Sequence, residues 1–318
     1  MIKNILKKLL EAVIQIFVVA TIVFIILHVM PGDPVKIMLE ANGATVSEEA
    51  EEAVREQMGL DRPVGTQYVD WIHGLATLHF GNSYYYKKPV MDFVSQRLPR
   101  TLELALVSIG IAIILGIITG VVSAKNRGTK RDTILTMIAV LGISVPTFVL
   151  GTILIYIFGI KLQLLPSGGY ATLAEGLGSH ITTLILPALT VGLYLAASIA
   201  RITRSSMLEE LDKEYIMTLN AKGLRKSLII YKHALKNALI PIITVIGLQL
   251  GSLIGGIVVI ENIFSYAGLS SLIVEAVNRR DYPMIQSCIV IIAAIYILIN
   301  MVVDILYGVV DPKIRAGR

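Results

Sequence analysis

Residues 101–124 read TLELALVSIGIAIILGIITGVVSA, and Glu103 is the only charged side chain in this run. A helix of about 20 mostly apolar residues crosses the hydrocarbon core of a bilayer. A cluster of four basic residues follows at once, within positions 125–131, and such clusters stay on the cytoplasmic side of a membrane. The stretch therefore predicts a membrane-spanning helix that ends in the cytoplasm.

The composition extends this prediction to the whole chain. Of the 318 residues, 55% are hydrophobic and 16% are charged, whereas a soluble domain carries about 25% charged residues. The single cysteine, Cys288, excludes a disulfide within the chain and a zinc site built from several thiolates. The net charge of +5 is typical of basic cytoplasmic loops rather than of nucleic-acid binding. These values exclude a soluble enzyme, a disordered chain and a fibrous protein.

Six stretches are apolar and long enough to span a bilayer. They lie at residues 9–30, 101–124, 134–160, 181–200, 238–260 and 287–310. Pro146 falls in the middle of the third stretch and predicts a kink, because proline has no N–H to donate to the preceding turn. Pro187 and Pro241 are expected close to helix starts, where proline is tolerated. The predicted fold class is an all-α integral membrane protein with six transmembrane helices.

Lysine and arginine indicate the orientation of these helices. They cluster in the N-terminal tail, in the loops after the second and fourth stretches, and at the C-terminus, whereas the loop after the third has only Lys161. By the positive-inside rule, both termini and the loop 201–237 are cytoplasmic. We therefore expect a multi-pass protein of the plasma or inner membrane. It has three parts: a tail and first helix (1–30), an extracytoplasmic segment (31–100), and a five-helix core (101–318).

The extracytoplasmic segment has helical signals of its own. Ser47 is a plausible N-cap, Glu48 and Glu49 suit the positive first turn, and Gly59 can end the helix. Two interpretations stay open. The segment is a small cap packed on the ends of the spans, or it is a docking surface for an external partner.

The loop 201–237 is the most informative cytoplasmic segment. Met207, Leu208 and Leu211 continue the fourth span into the cytoplasm as an apolar stripe. A second stripe follows at positions 215–219, and Gly223 is placed to stop that helix. A short amphipathic helix must bury its apolar face, either on the lipid surface or in a groove of a partner protein. Composition alone leaves both possibilities open.

Several short motifs follow one another along the chain. They are PGDP at 31–34, GLDRP at 59–63, FGNS at 80–83, LPAL at 186–189, EYIMTLNAKGL at 214–224, HALKNALIP at 233–241 and RDYP at 280–283. In this order the chain resembles the integral-membrane permease subunits of ATP-binding-cassette importers of the dipeptide/oligopeptide/nickel type. The resemblance covers nearly the whole chain, and the stretch 214–241 is its most specific part.

The resemblance implies a role for the loop 201–237. In the family, a helix of this loop docks into a cleft on an ATPase subunit, which favours the protein groove over the lipid surface. The residues expected to couple to the ATPase are Glu214, Tyr215, Thr218, Ala221, Lys222, Gly223 and Leu224. The residues expected to support the loop are Arg201, Arg204, His233, Asn237 and Pro241.

The resemblance also implies partners. They are a second homologous permease, two ATPase subunits that carry ATP and Mg, an extracytoplasmic solute-binding protein, and membrane lipid. The chain itself has no GxxxxGK[ST] phosphate loop, since GLRKS at 223–227 lacks the spacing. We therefore expect a non-catalytic subunit without a cofactor of its own. At Leu219-Asn220 the sequence departs from the pattern of the family, and this difference is expected to affect which ATPase subunit binds the loop.

Other polar and small residues have competing interpretations. A stripe of small residues lies at Gly247, Gly251 and Gly255, and such stripes let helices pack closely. Either the stripe packs permanently against small residues of the fourth span, such as Gly192, or it forms a face that slides between two states of the transporter. Asn300 and Asp304 either make a structural polar contact or take part in binding substrate or protons. His73 and His79 are too few to predict a metal site.

Two other classes of protein stay as alternatives. An ion-coupled secondary transporter needs charged residues at the membrane midplane, and an intramembrane enzyme needs a nucleophile or metal cluster within the spans. The sequence offers little of either. The resemblance leaves the cargo open between peptides, which we favour, and nickel or a metal chelate.

Overall fold

The computed structural model describes residues 2–33, 35–36, 39 and 47–310. This part of the chain is helical and holds no strand, apart from one isolated bridge between Asn82 and Pro89. The α-helices of eight or more residues are α1 (Ile2–Val29), α2 (Glu48–Gln57), α3 (Val64–Ala76), α4 (Val90–Lys125), α5 (Lys130–Ser144), α6 (Thr147–Leu154), α7 (Leu177–Leu211), α8 (Glu214–Ala221), α9 (Leu235–Ile263), α10 (Leu269–Asn278) and α11 (Tyr282–Val310). π-Helical segments at Ile155–Lys161 and Ile229–Ala234 continue α6 and precede α9.

The predicted spans are confirmed. Among the described residues, five helices are long and apolar enough to cross a membrane, and α5 with the helix that follows it makes a sixth span if the bent pair is counted as one. Each predicted stretch lies within one of these helices or within the bent pair, except that the first extends one residue beyond α1, to Met30. The all-α membrane fold is therefore the observed fold. The C-terminal basic residues of the orientation argument, at 313–318, lie outside the described residues.

The predicted kink at Pro146 is a complete break. α5 ends at Ser144, the next helix begins at Thr147, and the two axes differ by 106°. Val145 is extended, with φ −84° and ψ 124°, as expected of a residue that precedes proline. Pro187 and Pro241 lie inside α7 and α9, so their expected place near a helix start was wrong. Both helices begin several residues before the apolar stretch from which each was predicted.

The chain divides into two compact units. The first comprises Met1–Thr101 and Ala267–Leu298, and the second comprises Leu102–Tyr266 and Ile299–Arg318. In the first unit, a core of aromatic and aliphatic side chains gathers α1, α3, α10 and the start of α11, with Phe24, Trp71 and Leu272 among its buried members. The predicted helix after Ser47 is confirmed as α2, and Gly59 follows it with φ +65°.

Asp281 organises the polar interior of the first unit. The residue is 1% exposed, and its carboxylate accepts hydrogen bonds from the Ser83 hydroxyl, from the Tyr84 and Tyr85 N–H groups at 3.1 and 3.3 Å, and from the Met284 N–H at 3.3 Å. One side chain thus caps α11 and holds the segment 83–85. Burial, followed by the nearby Asp281 charge, raises the pKa of Tyr84 to about 12.

In the second unit, α7 is the central helix and packs against α9, α5 and α6. It also meets α4 closely through glycines. A Cβ placed on Gly116 would lie 2.7 Å from the Ile199 Cβ, and one on Gly120 would lie 2.5 Å from the Thr203 Cβ. The sequence GIITG at 116–120 is a GxxxG pattern, which lets two helix backbones approach within a membrane.

Candidate functional site

Helix α8 begins and ends where the sequence predicts. Lys213 precedes it with extended dihedral angles, φ −76° and ψ 149°. Gly223 follows it with φ +75°, its N–H donates to the Asn220 carbonyl at 2.9 Å, and the Leu224 N–H donates to the Leu219 carbonyl at 3.3 Å. These two bonds form a Schellman motif, in which glycine adopts the left-handed conformation without strain.

The apolar face of α8 packs against the chain's own helices. Ile216 is 5% exposed, and Tyr215, Leu219 and Leu224 pack against the core of the second unit. The amphipathic pattern predicted that this face lies on lipid or in a partner's groove, whereas it is covered by the core of the second unit. Ile229 and Ile230 of the π-helical segment are buried in the same core, and their position beneath α8 is not evident from local periodicity.

The opposite face of α8 is exposed. It presents Glu214, Met217, Thr218 and Ala221, and Met217 is 65% exposed. Of the residues predicted to couple, Glu214, Thr218, Ala221, Lys222 and Gly223 are exposed, whereas Tyr215 and Leu224 are half-buried towards the second unit's core. The predicted set therefore divides into a presented face and an anchoring face.

A polar network fastens α8 to α7 and α9. The buried Glu210 carboxylate, near the end of α7, pairs with Lys213 and accepts a hydrogen bond from the Tyr215 hydroxyl at 2.9 Å. The Asn237 amide of α9 donates to the same hydroxyl at 3.2 Å. The hydrogen bond to Glu210 raises the pKa of Lys213, and burial raises the pKa of Tyr215, so both groups stay protonated donors.

A second anchor lies on the same stretch of α7. Arg204 donates from Nε and Nη2 to the two oxygens of Asp132, at 2.7 and 2.8 Å. Ser123 and the Gly128 N–H donate to the same carboxylate, at 2.5 and 3.0 Å. Sequence reasoning missed Asp132, although its place as a lone acid beside the basic run 125–131 was a usable signal. An exposed pair, Arg127 with Asp212 at 3.0 Å, joins the same loop to the end of α7.

The predicted supporting residues have different surroundings. Arg204 and Asn237 belong to the two networks described above. Arg201 is exposed on α7, His233 is half-buried in the π-helical segment, and Pro241 is exposed on α9. Arg204 and Asn237 thus have side-chain hydrogen bonds in these networks, and His233 lies in the segment that packs beneath α8.

The predicted glycine stripe lies on α9. Gly247 and Gly251 are buried, and the surroundings of Gly255 lie outside the described part. Gly192 on α7, expected opposite this stripe, lies against α4 instead, where a Cβ on it would meet Ile111 at 2.8 Å. The α4 glycines Gly116 and Gly120 are the small residues that the sequence analysis missed.

The remaining polar candidates form no cluster in the described residues. Asn300 is half-buried on α11, and the side chain of Asp304 lies outside the described part. His79 contacts the Thr77 carbonyl at 2.9 Å, and His73 is exposed on α3. Within the described ranges, no three His, Cys, Asp or Glu side chains lie close enough together to hold a metal ion.

Comparison with known families covers nearly the whole chain. Residues 104–316 match the family described as binding-protein-dependent transport system inner membrane component, and residues 1–105 match the N-terminal family of the same transport systems. The chain is 39% identical over 311 residues to a probable peptide ABC transporter permease, y4tP, of Sinorhizobium fredii, covering 98% of both chains. It is 38% identical over 315 residues to the glutathione transport system permease GsiC of Escherichia coli, covering 99% of both.

A solved structure shares the fold. The chain superimposes with a TM-score of 0.57 and 20% identity on a chain of the MetNI methionine ABC transporter in an inward-facing conformation, covering 70% of this chain and 97% of that one. The resemblance inferred from the motifs is therefore confirmed. The protein is a multi-pass membrane protein, and it belongs to the binding-protein-dependent transport system inner membrane component family, the permeases of ABC transporters.

Proposed function

We propose that this chain forms half of the transmembrane pathway of an ATP-driven importer of peptides. The observation that carries the proposal is its full-length similarity, at 38–39% identity, to permeases named for peptide and for glutathione transport. Glutathione is itself a tripeptide, so both names point to short peptide cargo. They favour peptides over nickel or a metal chelate, and an ATP-driven importer over an ion-coupled transporter.

The exposed face of α8 is the proposed contact with the ATPase. Glu214, Met217, Thr218 and Ala221 lie on this face, whereas Ile216 and Tyr215 on the other side fasten α8 to the second unit. A force applied to the exposed face is then passed to α7 and α9 through packed side chains and through the Glu210 network. Coupling requires that the ATPase bind this face differently in its open and closed states.

The proposed assembly contains a second homologous permease, two ATPase subunits that bind ATP and Mg, and an extracytoplasmic solute-binding protein. This chain contributes gating and no catalysis, and ATP hydrolysis belongs to the partners. The termini and α8 face the cytoplasm, and residues 31–100 face the outside. The basic clusters of the sequence support this orientation.

The test is purification followed by reconstitution. The chain is purified from its native membrane in mild detergent, and the co-purifying proteins are identified by mass spectrometry. The complex is then placed in liposomes, and uptake of labelled glutathione, triglycine and Ni²⁺ is measured with and without ATP. We expect two ATPase subunits, a second permease and ATP-dependent peptide uptake. A homogeneous oligomer of this chain that transports without ATP would overturn the proposal. Uptake of Ni²⁺ without uptake of either peptide would show that the cargo is not a peptide.

A further inference from the structure

A cavity lies at the break of the bent span in the second unit. Its volume is about 450 Å³, which falls within the roughly 300–1,000 Å³ of small-molecule sites. The wall is formed by residues 143–147 at the break, by α7 around Tyr194, and by α9 around Gln249. These three places lie well inside the third, fourth and fifth predicted spans, so the cavity is at membrane depth.

The wall combines apolar side chains with uncharged polar ones. Tyr194, Gln249, Ser144 and Thr147 supply hydroxyl and amide groups, and every other lining residue is apolar, proline or glycine. The backbone of the wall is irregular at residues 144–147, because Pro146 has no N–H with which to continue the helix and α5 ends at Ser144. Irregular backbone at membrane depth is tolerated where it lines a cavity or is buried in protein.

These groups suit one class of ligand. A hydroxyl and a primary amide each donate and accept hydrogen bonds, which matches the alternating N–H and C=O groups of a peptide backbone. No lining residue is a histidine, cysteine, aspartate or glutamate, the side chains that bind transition metals. No charged side chain in the wall selects for the charge of a cargo side chain either.

We propose that this cavity is where the cargo contacts this chain during passage, and that it accepts short peptides through their backbone rather than through their side-chain charge. The proposal rests on the proposed function and extends it to named residues. Tyr194 and Gln249 provide the polar contacts, and Gly256 keeps the cavity open. A Cβ built on Gly256 meets no heavy atom within 4 Å, so the backbone at this lining position leaves room for a side chain that narrows the cavity.

The test uses the reconstituted complex with its partner subunits and its binding protein. Tyr194→Phe and Gln249→Leu remove polar atoms from the wall, and Gly256→Leu fills the cavity. The matched controls are Tyr296→Phe and Gln15→Leu, on the exposed faces of α11 and α1, and Gly110→Leu, where a Cβ also meets nothing within 4 Å. Uptake of triglycine, trilysine and a labelled dipeptide is measured beside the basal ATPase rate.

We expect Tyr194→Phe and Gln249→Leu to reduce uptake of triglycine and trilysine equally, by about fivefold for each hydrogen bond lost, with an unchanged basal ATPase rate. Gly256→Leu should reduce tripeptide uptake more than dipeptide uptake. If the Gly256→Leu chain fails to assemble with its partners, uptake by the Tyr194→Phe and Gln249→Leu variants tests the proposal. Uptake equal to that of the controls, or a loss confined to trilysine, would overturn the inference. If the wild-type complex transports no peptide, the proposed function itself fails.

Discussion

The guanidinium of Arg204 and the carboxylate of Asp132 form a two-point pair, 2.7 and 2.8 Å long, between residues 72 positions apart in the chain. The pair joins the first turn of α5 to the C-terminal part of α7, close to Glu210. The Asp132 side chain is 7% exposed and the Arg204 side chain 30%. A bidentate pair of this kind is geometrically specific, so it fixes where α7 lies against α5.

Removal of Asp132 should destabilise the protein. Asp132→Ala leaves the Arg204 charge partly buried without its partner, which we expect to cost about 2 kcal/mol after allowance for its exposure. The melting temperature of the purified protein in detergent should fall by about 5 °C. Asp212→Ala is the control, because it removes only the exposed pair with Arg127 and should cost less than about 1 kcal/mol. Equal shifts for the two variants would contradict the buried role of Asp132.

Gly223 should tolerate alanine poorly and proline not at all. Its φ of +75° is about 1 kcal/mol less favourable for alanine, and the proline ring fixes φ near −65° and removes the N–H that bonds to Asn220. Uptake by the reconstituted complex should therefore be highest for the wild type, lower for Gly223→Ala and lowest for Gly223→Pro. Membrane insertion, measured by membrane fractionation, should stay intact. Wild-type uptake by Gly223→Pro would show that the end of α8 takes no part in coupling.

Met217 is the apolar side chain that α8 exposes most. If the ATPase covers it, Met217→Glu places a charge in an interface and should weaken the complex by about tenfold or more, a cost of at least about 1.4 kcal/mol. Recovery of ATPase subunits with the tagged permease measures this effect. Met91→Glu, at the exposed start of α4, is the matched change in the segment that we propose to face outside, and it should leave recovery unchanged. Normal recovery with Met217→Glu would place the ATPase elsewhere.

The contact between α4 and α7 predicts a difference between two glycines of one helix. A Cβ on Gly120 would lie 2.5 Å from the Thr203 Cβ and 2.7 Å from the Ala200 carbonyl, whereas one on Gly110 meets nothing within 4 Å. Gly120→Ala should therefore destabilise the protein by about 1–3 kcal/mol. Gly110→Ala should be neutral or stabilising by up to about 1 kcal/mol. Melting temperatures in detergent compare the two, and the reverse order would refute the close packing.

Reporter fusions test the orientation. Alkaline phosphatase joined after Leu165, in the loop after the third span, should be active because we place that loop outside. Joined after Arg225, beyond α8, it should be inactive. A cytoplasmic reporter such as green fluorescent protein should give the opposite pattern at both positions. Phosphatase activity of the fusion after Arg225 would show that the orientation is the reverse of the proposed one and that α8 does not lie in the cytoplasm.

Local sequence predicted the features that depend on local physics. The bilayer requires long apolar helices, so hydropathy alone located every span. Proline lacks a donor, so Pro146 marked the break, although the angle of 106° depends on what each half packs against. Gly223 marked the end of α8, because the left-handed conformation favours glycine wherever it occurs.

Features that depend on pairs of distant residues could not be predicted. The amphipathic pattern of α8 indicates that one face is buried, but it carries no information about which surface covers that face. Arg204 belonged to a motif, yet its partner Asp132 lies on another helix, α5, outside that motif. Small residues at a spacing of four occur on α4, α7 and α9, and only the packing of the helices determines that Gly116 and Gly120 meet α7.

The Asp281 carboxylate also has a consequence for biogenesis. Its bond to Ser83 spans 198 positions, and ribosomes add roughly 5–20 residues per second. The segment 83–85 therefore waits about 10–40 s after its own synthesis before Asp281, which accepts the hydrogen bonds of the Tyr84 and Tyr85 N–H groups, is added to the chain. Until then these two N–H groups lack the carboxylate that accepts them in the folded chain, so the segment cannot take its final structure before the last helix begins to emerge.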